Sequence, residues 1–553
     1  MDISSYQDQE ALFAHMPSRL ALQSRAQDAC FSSRYTVNVW RNHAIEPILS
    51  LARPYQSYGR YSVEYRISGY ADTLTFHGHQ PADIELFWID SSRFLLQMVL
   101  DEWLDWLDER LRTLRAISAA PIIVATWIQS NSDEPSRLSE MLDAMPNVFY
   151  ANLREVCDEA GITFLDTRTA TISGTPISNR SQTLIARKLA CHWLPATVFP
   201  PIKALALDLD NTLHAGILGE DGIHGVQLTD GHKLLQQTVK SIQQRGIFVA
   251  LVSRNELADV ELLFAIRNDY PLRWGDFSAT EISWGDKTDA LERIATALRI
   301  SLDAVLFVDD NPGELASVLA RLPCIHTAFA TPDALQTKRV IEYYPGLWRW
   351  KIEADDTKRV QDLKANAERE LLLRETIDQS DYFRELQTKL DFRYDPLDQL
   401  GRLAGLCNKT NQFNLSMRRL NQAQLAEYMA RPDAAVASVQ MSDRLSDSGV
   451  IAVIVAERRG NLLMVEEVCI SCRALGRGLE DALILEAIRG MAIVDGCDCI
   501  MFHAQLGPRN QPAFNWLTEL LNNGKEVEEG VHSIPVKWLV DFVPPDGILQ
   551  NKE

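Results

Sequence analysis

Residues 204–212 read ALALDLDNT, a short apolar run that ends in two aspartates, an asparagine and a threonine. Residues 247–253 (IFVALVS) and 304–310 (AVLFVDD) have the same form, an apolar run followed by polar side chains. Segments with apolar residues at helical spacing separate these runs: 233–244, 256–266 and 287–298. Continuous apolar strands that alternate with helices are typical of a parallel sheet buried on both faces. The pattern therefore predicts an α/β fold.

Polar side chains stand where each of these three strands ends. The first strand ends at Asp208 and Asp210, the second at Ser253, and the third at Asp309 and Asp310. In open α/β sheets, ligands bind outside the carboxyl ends of parallel strands. We therefore expect the five side chains to meet at one edge of one sheet.

The residue types at this edge suit phosphoryl transfer. Neighbouring carboxylates need a compensating charge, and an oxygen-rich cluster of this kind suits Mg²⁺. Ser253 offers a hydroxyl to a phosphoryl oxygen, and Lys287 adds a positive charge where a predicted helix begins. A single aspartate at a strand end is more often a helix cap or a solvated loop residue. Several such residues in this order favour a centre with a carboxylate nucleophile and a second carboxylate as acid/base.

Length and composition limit the classes of protein to which the chain can belong. The chain has 553 residues, which at about 150 per domain suggests three to four domains. Its 55 Lys+Arg and 75 Asp+Glu give a net charge of −20, which argues against non-specific nucleic-acid binding. The longest apolar stretch, 116–128, is too short for a membrane span, and no secretory signal pattern opens the chain. We expect a soluble cytoplasmic protein with neither a nucleic-acid nor a membrane partner.

The regions on either side carry their own patterns. Residues 82–89 and 121–127 are predicted strands around a helix at 94–114, which indicates a second α/β layer. Residues 346–395 are charged and helical in pattern and suggest a connecting arm. Residues 450–457 and 462–470 are predicted to form a hairpin. The nine cysteines lack the paired spacing of a zinc ribbon or a disulfide framework.

The order of DLDNT, Ser253, Lys287 and a final acidic pair resembles the haloacid-dehalogenase (HAD) superfamily. The resemblance implies that Asp208 is the nucleophile and Asp210 the general acid/base, with Ser253 and Lys287 also catalytic. It implies Mg²⁺ held by Asp208, by the backbone carbonyl of Asp210 and by one of the terminal pair. We favour Asp310 for that last place, with Asp309 behind it. The residues expected to bind the phosphate or substrate are Asn211, Thr212, Ser253, Arg254, Asn255 and Lys287.

Longer motifs resemble the FkbH-like subgroup of that superfamily. They are DLDNTLHAGILGEDG, LVSRNELADV, SWGDKTDAL, FVDDNPGE, NKTNQFNLSMRRL and SCRALGRGLE. The resemblance implies an acyltransferase–phosphatase that dephosphorylates 1,3-bisphosphoglycerate. It implies that a glyceryl group is loaded onto the thiol of an acyl carrier protein for polyketide-type biosynthesis. The alternatives are a Mg²⁺-dependent phosphatase for a small phosphate ester or a phosphoprotein, and a non-catalytic docking module.

The resemblance also implies a domain order. We expect an SGNH-hydrolase-like α/β domain over 1–200 and a Rossmann-like HAD catalytic domain over 201–345. A helical connector over 346–395 and a GNAT-like α+β domain over 396–553 would follow. The first domain lacks a GDS-type nucleophile run, so we expect a scaffold or a carrier-docking role there rather than hydrolysis.

Some positions depart from the family. Many relatives carry a cysteine just before the strand-end serine, where this chain has Val252. Cys472 is our candidate for an acyl-carrying thiol, with a buried structural thiol as the alternative. His214 stands where a tryptophan is common, and we expect it to face solvent, the alternative being a hydrogen bond to phosphate.

Two downstream motifs offer further candidate sites. Arg473, Gly476, Arg477 and Gly478 form a candidate pantetheine loop, because backbone N–H groups before a helix suit phosphate groups. The alternative is a plain structural turn. The amide-rich segment 408–416 either binds a second substrate phosphate, or braces a domain boundary, or satisfies its own loop backbone.

Overall fold

The computed structural model describes residues 4–25, 31, 33–70, 75–128, 134–166, 168, 173–352, 354–376, 378–507, 509–521 and 526–552. They belong to two compact units, Met1–Lys351 and Ile352–Glu553.

The first unit contains two parallel sheets. One has the strand order β2-β1-β3-β4-β5 and the other has the order β10-β9-β6-β7-β8. The strands of the first sheet are β1 Ser33–Arg41, β2 Tyr61–Ile67, β3 Ile84–Trp88, β4 Ile122–Thr126 and β5 Val148–Asn152. Those of the second sheet are β6 Ala204–Leu207, β7 Phe248–Ser253, β8 Ala279–Ile282, β9 Val305–Asp309 and β10 His326–Phe329.

Helices cover both sheets of this unit. Those described before the second sheet are Ser4–Leu12, Arg19–Arg25, Glu46–Tyr58, Ser92–Leu95, Leu100–Arg115, Glu134–Asp143, Glu155–Asp158, Asn179–Lys188 and Leu194–Val198, with a π-helical turn at Leu189–Trp193. Those around the second sheet are Leu218–Gly225, Asp230–Gln244, Leu257–Ile266, Lys287–Ala297, Pro312–Arg321 and Ala334–Glu342.

Side chains of β3 alternate between two apolar cores. Trp88 packs in a core that also contains Leu205 and Val249 of the second sheet, whereas Phe87 packs beneath Trp103 on the other face. This alternation follows from the two-residue period of a strand. One apolar core therefore joins the two sheets of the first unit.

The second unit is built on a seven-stranded mixed sheet with the order β16-β15-β14-β13-β12-β11-β17. The strands are β11 Lys389–Tyr394, β12 Ala434–Ser442, β13 Asp447–Arg459, β14 Leu462–Ile470, β15 Cys499–Ala504, β16 Gly530–Pro535 and β17 Leu549–Lys552. The helices described are Ala354–Glu375, Gln379–Leu386, Leu400–Lys409, Gln422–Ala430, Glu480–Arg489, Gln511–Leu521 and Lys537–Asp541.

The α/β fold class that the sequence predicts is confirmed, with parallel Rossmann-like sheets and a C-terminal sheet region. The boundary between the two compact units is at 351/352, and the four expected domains stay a prediction. Most of the expected connector 346–395 folds with the second unit: its long helix packs on β13, and β11 joins the sheet. Within the described ranges, none of the helices combines the length and apolar character that a membrane span requires.

Candidate active site

The candidate site lies at the carboxyl ends of β9, β6 and β7, which are neighbours in the second sheet. The amide of Asp208 donates to the carbonyl of Val308 at 2.9 Å, which continues the ladder one residue past β6. Asp208 therefore stands between Ser253 on one side and Asp309 on the other. The strand ends bring these side chains to one edge, as the sequence predicts.

A lysine bridges two of the carboxylates. Nζ of Lys287 lies 2.8 Å from Oδ1 of Asp208 and 2.6 Å from Oδ2 of Asp309, and all three side chains are buried. Lys287 begins a helix whose N-terminus is capped by Asp286, and this cap fixes where the ammonium group enters the site. Oxygens of Asp208, Asp309 and Asp310 lie within 4.8 Å of one another.

The charges of this cluster do not balance. Burial raises the pKa of Asp208 to about 8 although Lys287 opposes the shift. Burial, followed by the charge of Asp309, also raises the pKa of Asp310. Burial would lower the pKa of Lys287, but Asp208 and Asp309 outweigh it and raise that pKa. Three carboxylates share one ammonium group, and their oxygens are the ligand type that Mg²⁺ prefers, so a divalent cation fits this cluster.

Asp309 and Asp310 differ in how many of their carboxylate oxygens are already engaged by neighbouring groups. Both oxygens of Asp309 are engaged, one by Lys287 and the other by the amide of Asn311 at 2.8 Å. Asp310 is half-buried, and the side chain of Asn211 donates a hydrogen bond to it. The geometry thus favours Asp310 over Asp309 as a ligand that turns toward a cation.

Asp210 is held by three donors. Its Oδ1 lies 3.1 Å from Nε2 of His214 and 3.0 Å from the amide nitrogen of Leu218, and its Oδ2 accepts from Nδ2 of Asn255 at 2.8 Å. Burial alone would raise the pKa of Asp210, but these hydrogen bonds lower it below its ordinary value. The carboxylate is therefore ionised and fixed in orientation.

The expectation that His214 faces solvent is wrong. Its ring is fully buried, and its Nδ1 lies 3.0 Å from the hydroxyl of Tyr270. Burial raises the pKa of Tyr270 to about 12, so this hydroxyl keeps its proton and can donate it. His214 then presents its Nε2 proton to Asp210. Tyr270 is not among the residues predicted from the sequence, because it lies in a turn that carries no motif.

The remaining phosphate-binding candidates lie around the same edge. Ser253 is buried, and its hydroxyl accepts a hydrogen bond from Asn255 at 3.0 Å. Thr212 is also buried, and its Oγ1 has no hydrogen-bond partner within the described part of the chain. Asn211 adopts a left-handed conformation (φ 52°), which asparagine tolerates better than most residues. Arg254 is half-exposed and pairs with Glu314 at 2.9 Å.

Cys472 and the candidate pantetheine loop belong to the second unit. Cys472 is partly buried. The amide of Gly476 donates to the carboxylate of Glu480 at 3.3 Å, so the chain itself supplies an anion to this loop. Arg477 is buried beside Asp443 and Asn366. These contacts favour a structural turn over an open phosphate site.

The amide-rich motif lies between two diverging strands. β14 pairs with β15 only as far as Val465 and Phe502. Beyond that point, Leu415 donates its amide to Val468 at 3.0 Å and accepts from the amide of Gln505 at 2.9 Å. Ser416 bonds to the carbonyl of His503 at 2.9 Å. The motif thus fills the gap between the strands, and Asn414 and Ser416 are fully buried.

The geometry can be set beside known proteins. No family model matches the sequence, and no curated protein matches it. The chain is similar to the N-terminal part of a Bacteroides fragilis protein, which contains a phosphatase domain and was crystallised with Mg. The identity is 20%, the match covers 61% of this chain and 96% of that chain, and the TM-score is 0.45.

Two further solved structures also match. A hypothetical protein from Xanthomonas campestris is 21% identical, with 27% of this chain and 82% of that chain covered and a TM-score of 0.18. A fungal multi-domain β-N-acetylglucosaminidase with a GCN5-related glucosamine N-acetyltransferase region is 10% identical, with 95% and 68% covered and a TM-score of 0.19. At these identities and TM-scores, none of the three decides the family or the activity of the chain.

Proposed function

We propose that the chain is a Mg²⁺-dependent phosphatase of the HAD type. The observation that carries the proposal is the contact of Lys287 with both Asp208 and Asp309, with Asp310 in the same cluster. The clustered carboxylates leave negative charge uncompensated, which suits a bound cation better than a structural role. The lysine and the nearby hydroxyl groups suit a phosphoryl group held beside that cation.

In this proposal, Asp208 is the nucleophile. Its Oδ1 is held by Lys287, and its Oδ2, which has no hydrogen-bond partner among the described residues, attacks phosphorus. The bond from phosphorus to the leaving oxygen breaks, and an acyl phosphate forms on Asp208. A water molecule then attacks that phosphorus, loses its proton to Asp210 and releases inorganic phosphate with Asp208 restored. Because Asp210 is ionised, it acts as the base of the second step, and the leaving group of a mixed anhydride departs as a carboxylate that needs no proton.

Asp208, Asp310 and the backbone carbonyl of Asp210 would hold Mg²⁺, which when bound offsets the charge of the carboxylates and of the phosphate. Ser253 and Thr212 would donate hydrogen bonds to phosphoryl oxygens. Asn255 would hold Asp210 and Ser253 in fixed positions relative to each other, because its side chain donates a hydrogen bond to each. Arg254 would meet the part of the substrate outside the phosphate pocket.

The finer proposal is transfer of a glyceryl group from 1,3-bisphosphoglycerate to the thiol of an acyl carrier protein. It is supported by the FkbH-like motifs, which occur in both halves of the chain. A mixed anhydride is already activated, so the protein would mainly have to place the phosphate and bring the thiol close. Cys472 remains the candidate for an intermediate thiol, and residues 1–200 remain the candidate scaffold or docking domain.

One experiment distinguishes phosphate release alone from glyceryl transfer to a carrier protein. The full chain is mixed with Mg²⁺, 1,3-bisphosphoglycerate and a phosphopantetheinylated carrier protein, and both intact-protein mass and phosphate release are followed. A carrier that gains the mass of one glyceryl group supports transfer. Phosphate release with an unchanged carrier supports the phosphatase alone and rejects the finer proposal.

Matched controls make the outcome specific. The carrier without its phosphopantetheine arm must stay unmodified if the thiol is the acceptor. Cys472→Ser tests the intermediate thiol, and unchanged transfer in that variant would remove Cys472 from the reaction. If neither 1,3-bisphosphoglycerate nor acetyl phosphate releases phosphate with Mg²⁺ present, the phosphatase proposal itself fails.

A further inference from the structure

A second cavity lies in the first unit, away from the acid cluster. It has a volume of about 350 Å³ and is lined by residues before β9 and at the start of β1 and β10. Asp309 stands at the opposite, carboxyl end of β9. The cavity therefore lies at the amino ends of these strands, whereas the candidate active site lies at the carboxyl ends, the opposite edge of the sheet. Its volume falls within the range of about 300–1,000 Å³ that small-molecule sites occupy.

Aromatic rings form two walls of this cavity. On one side, the ring of Tyr35 lies 5.6 Å from that of Phe199. On the other, the ring of Tyr58 lies 6.1 Å from that of Tyr344, whose hydroxyl is 3.3 Å from Nδ1 of His326. Tyr58 and Tyr344 are buried, whereas Tyr35 and Phe199 are only partly buried and can offer apolar contact to a planar ring.

Arg60 supplies a positive charge at the same place. It lines the cavity and is exposed, and its guanidinium has neither an ion pair nor a hydrogen bond with any residue that the structure describes. Its charge is felt at His326 and Tyr344 on the cavity wall. The chain has a net charge of −20 and therefore an excess of carboxylates, yet Arg60 pairs with none of those that the structure describes.

The backbone conformation of Arg60 is also unusual for an arginine. Its φ of 57° lies in the left-handed region, which glycine or asparagine would occupy at lower cost. The turn alone therefore does not explain an arginine at this position.

We propose that this cavity binds a planar aromatic ring that carries a carboxylate. The ring would pack against Tyr35 and Phe199, and the carboxylate would pair with Arg60. Asp303 lines the same cavity, so a singly charged anion is favoured over a phosphate dianion. The site is separate from the proposed phosphatase centre.

Indole-3-acetate is a suitable probe, with indole and acetate as its two halves. Isothermal calorimetry on the full chain should show binding of indole-3-acetate, weaker binding of indole and none of acetate. Arg60→Gln should weaken the binding of indole-3-acetate tenfold or more, roughly the worth of one charge-assisted hydrogen bond, and leave indole unchanged.

Arg299→Gln is the matched control, because Arg299 also has a left-handed backbone (φ 51°) but does not line the cavity. That variant should bind like the unmodified chain. Cys324, an exposed thiol on the cavity wall, gives a second readout: indole-3-acetate should slow its alkylation by iodoacetamide, followed by peptide mass spectrometry. Equal binding by the Arg60→Gln variant, or no binding and no protection in the unmodified chain, would overturn the proposal.

Discussion

Nε2 of His214, whose ring is fully buried, lies 3.1 Å from Oδ1 of the partly buried Asp210. The imidazole is in turn 3.0 Å from the hydroxyl of Tyr270. Asp210, the proposed acid/base, is thus oriented by a histidine that itself rests on a tyrosine.

His214→Phe should raise the pKa of Asp210, because the carboxylate loses one of its three donors. The acidic limb of the pH–rate profile should then move to higher pH. Phosphate release should fall about tenfold, less than the roughly 10²–10⁴ that complete acid–base catalysis supplies. Tyr270→Phe keeps the bond from His214 to Asp210 and should shift the profile less, in the same direction. An unchanged profile in His214→Phe would show that the histidine does not act through Asp210.

Asp208→Asn and Asp210→Asn should fail at different steps. Asp208→Asn removes the nucleophile and should reduce phosphate release from acetyl phosphate by at least about 10³-fold. Asp210→Asn should still accept a phosphoryl group from this activated substrate but hydrolyse it slowly. Intact-protein mass spectrometry should therefore detect one added phosphoryl group on the Asp210→Asn chain and none on the Asp208→Asn chain. Phosphorylation of the Asp208→Asn chain would assign the nucleophile elsewhere.

Mg²⁺ should stabilise the first unit through the acid cluster. Binding at a hundred times the dissociation constant would add about 2.7 kcal/mol to the free energy of unfolding, visible as a higher Tm. Asp310→Asn should remove most of this gain. Asp289→Asn changes an acid outside the cluster, paired with Arg321, and should keep it. A Mg²⁺ response that survives in Asp310→Asn would place the ion away from Asp310.

Glu467 makes the stability of the second unit depend on pH. Burial raises the pKa of this carboxyl from 4.5 to about 7, although amides of Val468, Arg419 and Arg418 oppose the shift. Between these two values the folded state binds a proton that the unfolded state has lost. The stability that Glu467 contributes therefore falls as pH rises from 4.5 to 7 and stays low above that.

Glu467→Gln should remove this dependence. The variant should gain Tm relative to the unmodified chain at pH 8 and not at pH 4, with a difference of up to roughly 3 kcal/mol in the free energy of unfolding. Thermal unfolding of the full chain across this range measures it. Glu519→Gln, a change at an exposed acid, should give the same difference at both pH values. A Glu467→Gln variant with no extra gain at pH 8 would contradict the assignment.

The sequence predicted the strand ends well, because short apolar runs closed by acids have one simple explanation in a parallel sheet. β6, β7 and β9 lie where those runs lie, and their polar ends meet. It could not predict the burial of His214, which depends on where Tyr270 falls in three dimensions. Arg477 is a similar case: the glycine-rich spacing resembles a phosphate loop, but Asp443 and Asn366, distant in sequence, draw its side chain inward.

The burial of part of the charged helix in the second unit could not be predicted from the sequence. Charged helical sequence at 346–395 looks like a solvated arm, yet Arg369 forms buried ion pairs with Asp362 and Asp443. Periodicity does not reveal a buried ion pair of this kind, since each partner alone is typical of a surface. The helix is therefore part of the second unit because of contacts that join residues far apart in the chain.

Leu415 joins β14 to β15, and its bonds have a consequence for the order in which the second unit assembles. Its partners Val468 and Gln505 both come later in the chain than Leu415, so this part of the sheet cannot close until both strands exist. Contacts over such long separations are the slow ones in folding. During synthesis, the backbone groups of residues 413–416 therefore stay hydrated until both strands have been made. We expect the pairing of these residues with the two strands to be the last step of folding in the second unit.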